Sequence, residues 1–258
     1  MTRGDVVLFQ RDGRVARIIL NRPEARNAID AEVARRIEDS ITAVEEDPDV
    51  WVAVLGAVGP AFSAGADLKQ IAAGKTAGIM TERGGFGGLA RRARTKPLIA
   101  AVDGAAVGGG CELALACDLI VASTAASFGL PEVKRALIAT GGGLFRLPSA
   151  LPRNVALELI MTGRSLPAER AYELGMVNRL AEPGRAIEAA LELATEISAN
   201  GPLAVRASRE VVVRSYGDSE STGWALTEEL AHGVRASEDA KEGPRAFVEK
   251  RAPRWSGR

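Results

Sequence analysis

Residues 97–118, PLIAAVDGAAVGGGCELALACD, restrict the fold more than any other part of the chain. Pro97 and Gly104 bound a short apolar run at 98–102, and such a run between turn signals reads as a buried strand. Gly108, Gly109 and Gly110 follow, then Cys111-Glu112-Leu113-Ala114-Leu115-Ala116-Cys117, apolar on every side except at Glu112. A helix that is apolar all round is a buried helix. The glycines therefore turn the chain into the first turn of a buried helix that carries one carboxylate. The first N–H groups of a helix lack intrahelical partners and sit at the positive end of its dipole. Glycine lets a ligand approach them with no Cβ in the way. Such a place suits negative charge developing on an oxygen. It equally suits a plain strand-to-helix turn with Glu112 matched to the dipole, so other stretches must decide.

Composition narrows the function classes. The 258 residues are 47% hydrophobic, enough for one large domain or a domain with a small appendage. The 33 basic and 33 acidic residues cancel, so no global field draws the chain to nucleic acid or to an anionic membrane. Cys111 and Cys117, both inside the apolar stretch, form no disulfide framework and read as small buried residues of a reducing compartment. No apolar run reaches the roughly 18 residues of a membrane span. The charged N-terminus, MTRGDVVLFQ, does not read as a signal peptide. The expectation is a soluble cytoplasmic protein with neither nucleic-acid nor membrane partners. His232 is the single histidine, so no zinc-type ligand cluster is expected.

Read in order, the chain alternates strands and helices. Residues 6–10 and 15–20 are β-branched, apolar runs joined by Arg11-Asp12-Gly13-Arg14, and Asp12-Gly13 is a hairpin signal. Asp30 is placed to cap a helix in which Val33, Ile37, Ile41 and Val44 recur at helical spacing, stopped by Asp47-Pro48-Asp49. Strands are predicted at 50–58, 98–102 and 119–122, with a helix at 109–117. This alternation predicts α/β with crossover connections. From about Gly141 the signals are almost all helical, over 154–161, 167–174, 186–197, 202–213 and 221–234. Gly163, Gly175 and Gly201 stand where C-terminal stops belong, and Pro167 and Pro202 suit first-turn positions. No repeat of fixed signature is visible. Composition changes near residue 200 without a flexible linker.

Two more stretches offer chemistry. In 57–69, AVGPAFSAGADLK, a strand ends near Val58 and Gly59-Pro60 turns the chain. The small residues Ala64, Gly65 and Ala66 would let a ligand lie against the backbone, with the Ala66 N–H as donor. The same residues also make an ordinary turn before a short helix. In 127–146, SFGLPEVKRALIATGGGLFR, Glu132 follows a proline in an apolar setting. It reads either as a first-turn helix residue or as a catalytic acid whose pKa burial raises. Two carboxylates flanking one anion-stabilising site fit proton transfer to and from carbon, or activation of water.

Other patterns fail. Ala61-Phe62-Ser63-Ala64-Gly65 lacks the first glycine of the G-x-S-x-G hydrolase elbow, although with His232 it keeps a serine hydrolase as a rival class. Lys69 stands where a P-loop ending in Gly74-Lys75-Thr76 needs glycine. Residues 84–88 lack the strand context of a dinucleotide fingerprint. Arg91-Arg92-Ala93-Arg94 reads as a solvated helix face, and His232 as a structural or exposed residue.

Taken together, these stretches resemble the crotonase (enoyl-CoA hydratase/isomerase) family. The matching pieces run in order over nearly the whole chain: Leu20-Asn21-Arg22-Pro23 with Asn27-Ala28, then 62–68, 104–113, Phe128-Gly129-Leu130-Pro131-Glu132, and finally 246–251. The resemblance implies an α/β fold, a spiral of ββα turns followed by a C-terminal helical trimerisation region. Residues 1–200 would be the spiral core with the acyl-CoA site, and 201–258 the helical region for oligomerisation. It implies a homotrimer or a hexamer built as a dimer of trimers. It also implies an acyl-CoA thioester substrate, with coenzyme A as part of the substrate and neither a separate cofactor nor a metal.

By the same resemblance the N–H groups of Ala66 and Gly109 form the oxyanion hole, and Glu112 and Glu132 are catalytic. The adenine end of coenzyme A would lie against the backbone from Ala64 through Asp67 to Leu68, with Lys69, Phe247 and Lys250 at the nucleotide end. The expected reaction is reversible hydration of a 2-enoyl-CoA to a 3-hydroxyacyl-CoA. Double-bond isomerisation on the same scaffold and non-catalytic acyl-CoA binding are the alternatives. One departure stands out. Where hydratases of the family often carry Gly, Pro and Gly after the second glutamate, this chain has Ala136, Ala139 and Thr140.

Overall fold

The computed structural model describes residues 5–73, 77–218 and 220–258, and only the backbone of 71, 72, 220, 221, 223, 247 and 248. The rejected P-loop ending, 74–76, lies outside the described residues. Strands β1 (Val7–Asp12) and β2 (Val15–Leu20) form the expected hairpin, with Gly13 in the left-handed region at φ +56°. Helix α1 (Ala31–Glu46) starts at Asp30, whose carboxylate accepts from the Val33 N–H at 2.9 Å. It buries Val33, Ile37, Ile41 and Val44, the stripe read from the sequence.

A unit then recurs in which one strand joins a large sheet and the next joins a small one. β3 (Val52–Ala57) is followed by β4 (Ala61–Ser63) and the short helix α2 (Leu68–Ala72). A two-stranded hairpin, β5 (Met80–Thr81) and β6 (Gly85–Phe86), intervenes. β7 (Leu98–Val102), β8 (Ala105–Val107) and helix α3 (Gly109–Ala116) repeat the unit. β9 (Leu119–Ser123) and β10 (Ser127–Gly129) repeat it again, followed by a 3-10 turn at Glu132–Arg135. Helices α4 (Gly143–Ala150) and α5 (Arg153–Thr162) come next, then β11 (Ser165–Pro167), α6 (Ala168–Glu173) and β12 (Arg179–Ala181). Four helices finish the chain: α7 (Ala186–Ser198), α8 (Pro202–Ser215), α9 (Glu220–Arg235) and α10 (Glu238–Val248).

The large sheet has the order β1-β2-β3-β7-β9-β12 and the small one β11-β10-β8-β4. Within the small sheet β4, β8 and β10 are parallel. The sequence reading passed straight from the 98–102 strand to the α3 turn. Strand β8 lies between them, and like β4 and β10 it is too short for alternation to reveal.

Both faces of the central parallel strands β3, β7 and β9 are buried, as parallel strands require. Along β3, Val52 and Val54 face α7 while Ala53 and Leu55 face the main core. Ala186, Ala190 and Ala194 place a small-residue stripe of α7 on the sheet. Gly201 is the N-cap of α8 rather than a helix stop, because α7 has already ended at Ser198, and Pro202 takes the first-turn position. Pro167 is the N-cap of α6, one place before its predicted position, because its segment still pairs with β10.

The basic run at 91–94 is not a helix face. Arg94 is buried, pairs with Asp118 at 2.9 Å and donates to the Ala116 carbonyl at 2.7 Å. Arg209 of α8 reaches the same carboxylate at 2.8 Å, and this ties the C-terminal helices to the core. Burial pushes the Asp118 carboxyl up, but Arg94 and Arg209 outweigh it and hold the group below its ordinary range.

Two backbone features generate predictions. Lys96 is buried, and its Nζ donates to the Val44 and Asp47 carbonyls at the end of α1, both at 2.6 Å. Hydrogen bonds from a charged donor contribute about 1.5–3 kcal/mol each. Lys96→Met should therefore lose about 3 kcal/mol in denaturant unfolding; an unchanged midpoint would show that α1 is not anchored there. Ala136 ends the Glu132–Arg135 turn at φ +54°, where a Cβ is strained. Ala136→Gly should raise stability by about 0.5–1 kcal/mol, the relief of left-handed strain less the added freedom of unfolded glycine. A loss of stability on the same measurement would refute this strain.

Candidate active site

The three parallel strands of the small sheet end side by side, and each delivers one piece of the candidate site. β8, in the middle, leads into Gly108 and α3. β4 on one flank leads into 64–67, and β10 on the other leads into Glu132. The loops after β4 and β8 touch backbone to backbone. A Cβ on Gly65, which has φ +83°, would fall 2.8 Å from the Gly109 nitrogen and 2.7 Å from the Val107 oxygen. A Cβ on Gly110 would fall 2.2 Å from the Ser63 oxygen. Only glycine allows this approach.

The 64–67 segment is held from behind. Ile29 donates to the Gly65 carbonyl at 2.8 Å and accepts from the Asp67 N–H at 2.9 Å. In such a parallel bridge the intervening N–H, that of Ala66, faces the opposite side. Among the described residues no hydrogen bond is made by that N–H. Gly109 is the first residue of α3, so its N–H has no intrahelical acceptor. The Phe86 ring covers the other face of Gly109, where a Cβ would come within 2.2 Å of it.

The Leu20-Asn21-Arg22-Pro23 and Asn27-Ala28 motifs build this support. Arg22 is buried and bridges Asp30 (3.1 Å) and Asp67 (3.0 Å). Asn27, at φ +52°, donates to the Val58 and Ala61 carbonyls, which fixes the chain entering β4.

Glu112 is 3% exposed and points from α3 toward the turn at 141–143. The Gly143 N–H donates to its Oε1 at 3.0 Å, and a Cβ on Gly141 would come within 2.6 Å of its Oε2. Burial pushes the Glu112 carboxyl up, opposed by the Gly143 and Gly141 backbone and the charge of Arg146. Glu132 approaches from the turn after β10. Its Oε1 would lie 3.2 Å from a Cβ on Gly108, the residue before Gly109, and its buried Oε2 has no hydrogen-bond partner. Burial pushes this carboxyl up as well, and the neighbouring Glu112 charge adds to the rise. Two carboxyls that feel each other titrate as a pair. The arrangement offers two outward N–H donors from separate loops and two proton-exchanging groups beside them. It can stabilise an oxyanion while moving protons to and from neighbouring atoms.

The rival hydrolase pair does not form. Ser63 is fully buried, its Oγ donates to the Asn27 carbonyl at 2.7 Å, and it accepts from the Gly65 N–H at 3.1 Å. His232 is exposed on α9. Burial pushes the Cys111 and Cys117 thiols up to about 12, which keeps them protonated and inert. Among the described residues no group of three or more His, Cys, Asp or Glu side chains could hold a metal ion.

Of the residues expected at the coenzyme, Ala64, just before Gly65, and Leu68 and Lys69, just past it, are exposed. The Asp67 side chain turns inward to Arg22 and caps α2, accepting from the Lys69 N–H at 3.1 Å, and its own N–H donates to Ile29, so neither group is left to a ligand. Lys250 is exposed in left-handed backbone past the end of α10, and the side chain of Phe247 is outside the described residues. A cavity of about 1180 Å³ lies at the opposite end of α3, lined by Arg94, Cys117, Asp118, Phe145, Arg146 and Arg209 among others. None of Ala66, Gly109, Glu112 and Glu132 lines it, and it meets the site only through Arg146.

Several residues of the site escaped sequence reasoning. Gly141 and Gly143 were visible as a glycine run, yet nothing marked them as partners of Glu112. Phe86 sat in a stretch examined only for a nucleotide fingerprint. Arg146 carried no motif at all.

The enoyl-CoA hydratase/isomerase family profile matches residues 10–258. The enoyl-CoA hydratase EchA19 of Mycobacterium tuberculosis is 40% identical over 99% of this chain and 98% of its own. A carnitinyl-CoA dehydratase of Salmonella arizonae is 42% identical over 96% and 97%. The crystal structure of an enoyl-CoA hydratase from Mycobacterium tuberculosis superposes with a TM-score of 0.95 at 49% identity, covering 99% of this chain and 100% of that one. That of EchA1 from Mycobacterium marinum gives 0.95 at 47% identity, with the same coverage. The α/β fold of doubled strands and closing helices is thus the fold of solved enoyl-CoA hydratases, and this chain belongs to the enoyl-CoA hydratase/isomerase family.

Proposed function

We propose that this chain catalyses the reversible hydration of a 2-enoyl-CoA to a 3-hydroxyacyl-CoA. The observation that carries the proposal is the pair of buried carboxylates, Glu112 and Glu132, beside the start of α3. The thioester oxygen would accept from the Ala66 and Gly109 N–H groups. Water adds at Cβ, negative charge develops on that oxygen, and removing one such preorganised donor typically costs about 3 kcal/mol. Glu112 takes a proton from the attacking water, and Glu132 gives a proton to Cα. Hydration leaves Glu112 protonated and Glu132 ionised, so one proton must pass between them or through solvent before the next turnover.

The surroundings of the two acids support this division. Glu112 has an amide donor and a guanidinium charge, both of which favour its anion. Glu132 has a partnerless buried oxygen and a like charge nearby, both of which favour the protonated form against the pull of its own backbone N–H and Arg135. Isomerisation of a double bond needs one well-placed base. Two buried carboxyls at one site favour hydration.

The remaining expectations belong to the same proposal. Ala64, Leu68, Lys69 and Lys250 are exposed and can meet the coenzyme. A homotrimer, or two trimers face to face, is supported by exposed Phe145, Met161, Val212 and Val213 on α4, α5 and α8, with Tyr216 just past α8. Mass measurement in solution tests it. A cytoplasmic setting is supported by the two free cysteines. No helix among the described residues is long and apolar enough to cross a membrane.

Incubation with crotonyl-CoA, longer 2-enoyl-CoAs, a 3-enoyl-CoA and carnitinyl-CoA tests the reaction. Hydration of at least one 2-enoyl-CoA is expected; turnover of the 3-enoyl-CoA alone would reject the proposal. Glu112→Gln and Glu132→Gln should each lower kcat by about 10²-fold or more with little change in KM. Since burial raises both carboxyls, the acid limb of the pH profile, where Glu112 loses its charge, should lie above the ordinary glutamate range. An acid limb at or below that range would contradict Glu112 as the base.

A further inference from the structure

We infer that Arg146 is a positioning residue for the reaction proposed above: its guanidinium clamps the 141–143 turn against the 89–94 segment and so keeps the Gly143 N–H on the Glu112 carboxylate. The inference rests on that reading of Glu112 and deepens it. Arg146 lies in the first turn of α4, which opens at Gly143. One guanidinium nitrogen donates to the Gly141 carbonyl at 3.1 Å, and the other to the Ala90 carbonyl at 2.7 Å. The clamp leaves no room at the turn. A Cβ on Gly142, at φ +101°, would fall 2.2 Å from Arg146 Nη1. The residues on either side of Gly142 are the ones that meet the two oxygens of Glu112. Arg146 therefore acts on Glu112 through backbone and through charge, without being placed to touch substrate.

The charges around this pair are few. Glu112 faces Glu132 from the turn after β10, Arg146 from α4, and the Cys111 thiol of its own helix. Arg146 faces Glu112, Arg94 and Cys117, with the Phe145 ring at 5.0 Å. Both thiols stay protonated, so Arg146 is the cation that opposes the burial of Glu112. Losing it should raise the pH at which Glu112 ionises. A flat, forked guanidinium can bridge two carbonyls in a fixed geometry, whereas an ammonium supplies charge without the fork.

The test separates geometry, charge and simple loss of fold. In Arg146→Gln, kcat should fall about tenfold or more with KM within about threefold, the pattern of a lost positioning contact. The acid limb of its pH profile should move up by about half a unit or more. Arg146→Lys should restore the acid limb while recovering only part of kcat. In the Glu112→Gln background, Arg146→Gln should cost nothing further, because the group it positions is gone. An unmoved acid limb, or a loss that adds in full to that of Glu112→Gln, overturns the inference. If Arg146→Gln does not fold, the same cycle with Arg146→Lys decides. Should the wild type hydrate no 2-enoyl-CoA, the hydration reading fails while the Arg146 assignment can still be judged. A ¹³C titration of the Glu112 carboxyl in the free protein, assigned by its loss in Glu112→Gln, then shows a rise in Arg146→Gln or refutes the assignment.

Discussion

The main-chain contact between the loop after β4 and the loop after β8 is the constraint on which the rest depends. No side chain separates Gly65 from Gly109, or Ser63 from Gly110. The spacing of the two outward N–H groups is therefore set by van der Waals contact of backbone on backbone. Behind it, Asn27 grips both ends of the turn before β4, and Ser63 Oγ stitches the turn after it. Donors fixed in this way need no reorganisation when charge develops in front of them, and preorganisation of that kind is the largest single source of electrostatic rate enhancement. The same closeness explains why the buried hydroxyl of Ser63 is scaffold: its proton is committed to the Asn27 carbonyl.

Burying two carboxyls beside that contact is unfavourable, and the fold offsets the cost unevenly. Glu112 receives an amide and faces a guanidinium, while Glu132 keeps one oxygen without a partner. An unpartnered buried acceptor costs about 1–3 kcal/mol. A proton on Glu132 reduces that cost, because the neutral carboxyl is less heavily solvated in water than the anion. The proposed direction of proton flow rests on this uneven support, two backbone donors and Arg146 at Glu112 against its own backbone N–H and Arg135 at Glu132. It does not require any intrinsic difference between two glutamates.

Long elements were legible in the sequence and short ones were not. The Val33, Ile37, Ile41 and Val44 stripe and the Asp30 cap located α1, and 98–102 located β7 to the residue. Strands β4, β8 and β10 span too few residues for a period of two to emerge. α4 was hidden by Pro148 inside it, which reads as a breaker even though the helix tolerates it. The 91–94 arginines looked solvated because charge alone was visible. Arg91 is indeed exposed, but Arg94 is drawn inward by Asp118, which lies after α3, far along the chain. The two glutamates were nameable from local motifs. Their different surroundings were not, because those depend on Gly143 and Arg146 folding back onto α3.

The placement of the site on the small sheet turns this difficulty into a physical argument. Ligand sites of parallel sheets gather at the carboxyl ends of the strands, and here one sheet supplies a donor, a donor and an acid from three neighbouring ends. β8 must lie between β4 and β10 for Gly109 to stand between Ala66 and Glu132, and the pairing of Ser63 with Ala106 and of Gly129 with Val107 sets their level. Slipping a strand by one residue reverses every side chain on it. Strands this short cannot hold register by their own hydrogen bonds. Register must come from what brackets them: the longer strands β3, β7 and β9 that precede each one in the large sheet, and the bond from the Gly108 N–H to the Gly129 carbonyl at 2.8 Å. The large sheet thus sets the geometry of the candidate site at a distance, by fixing where each short strand begins.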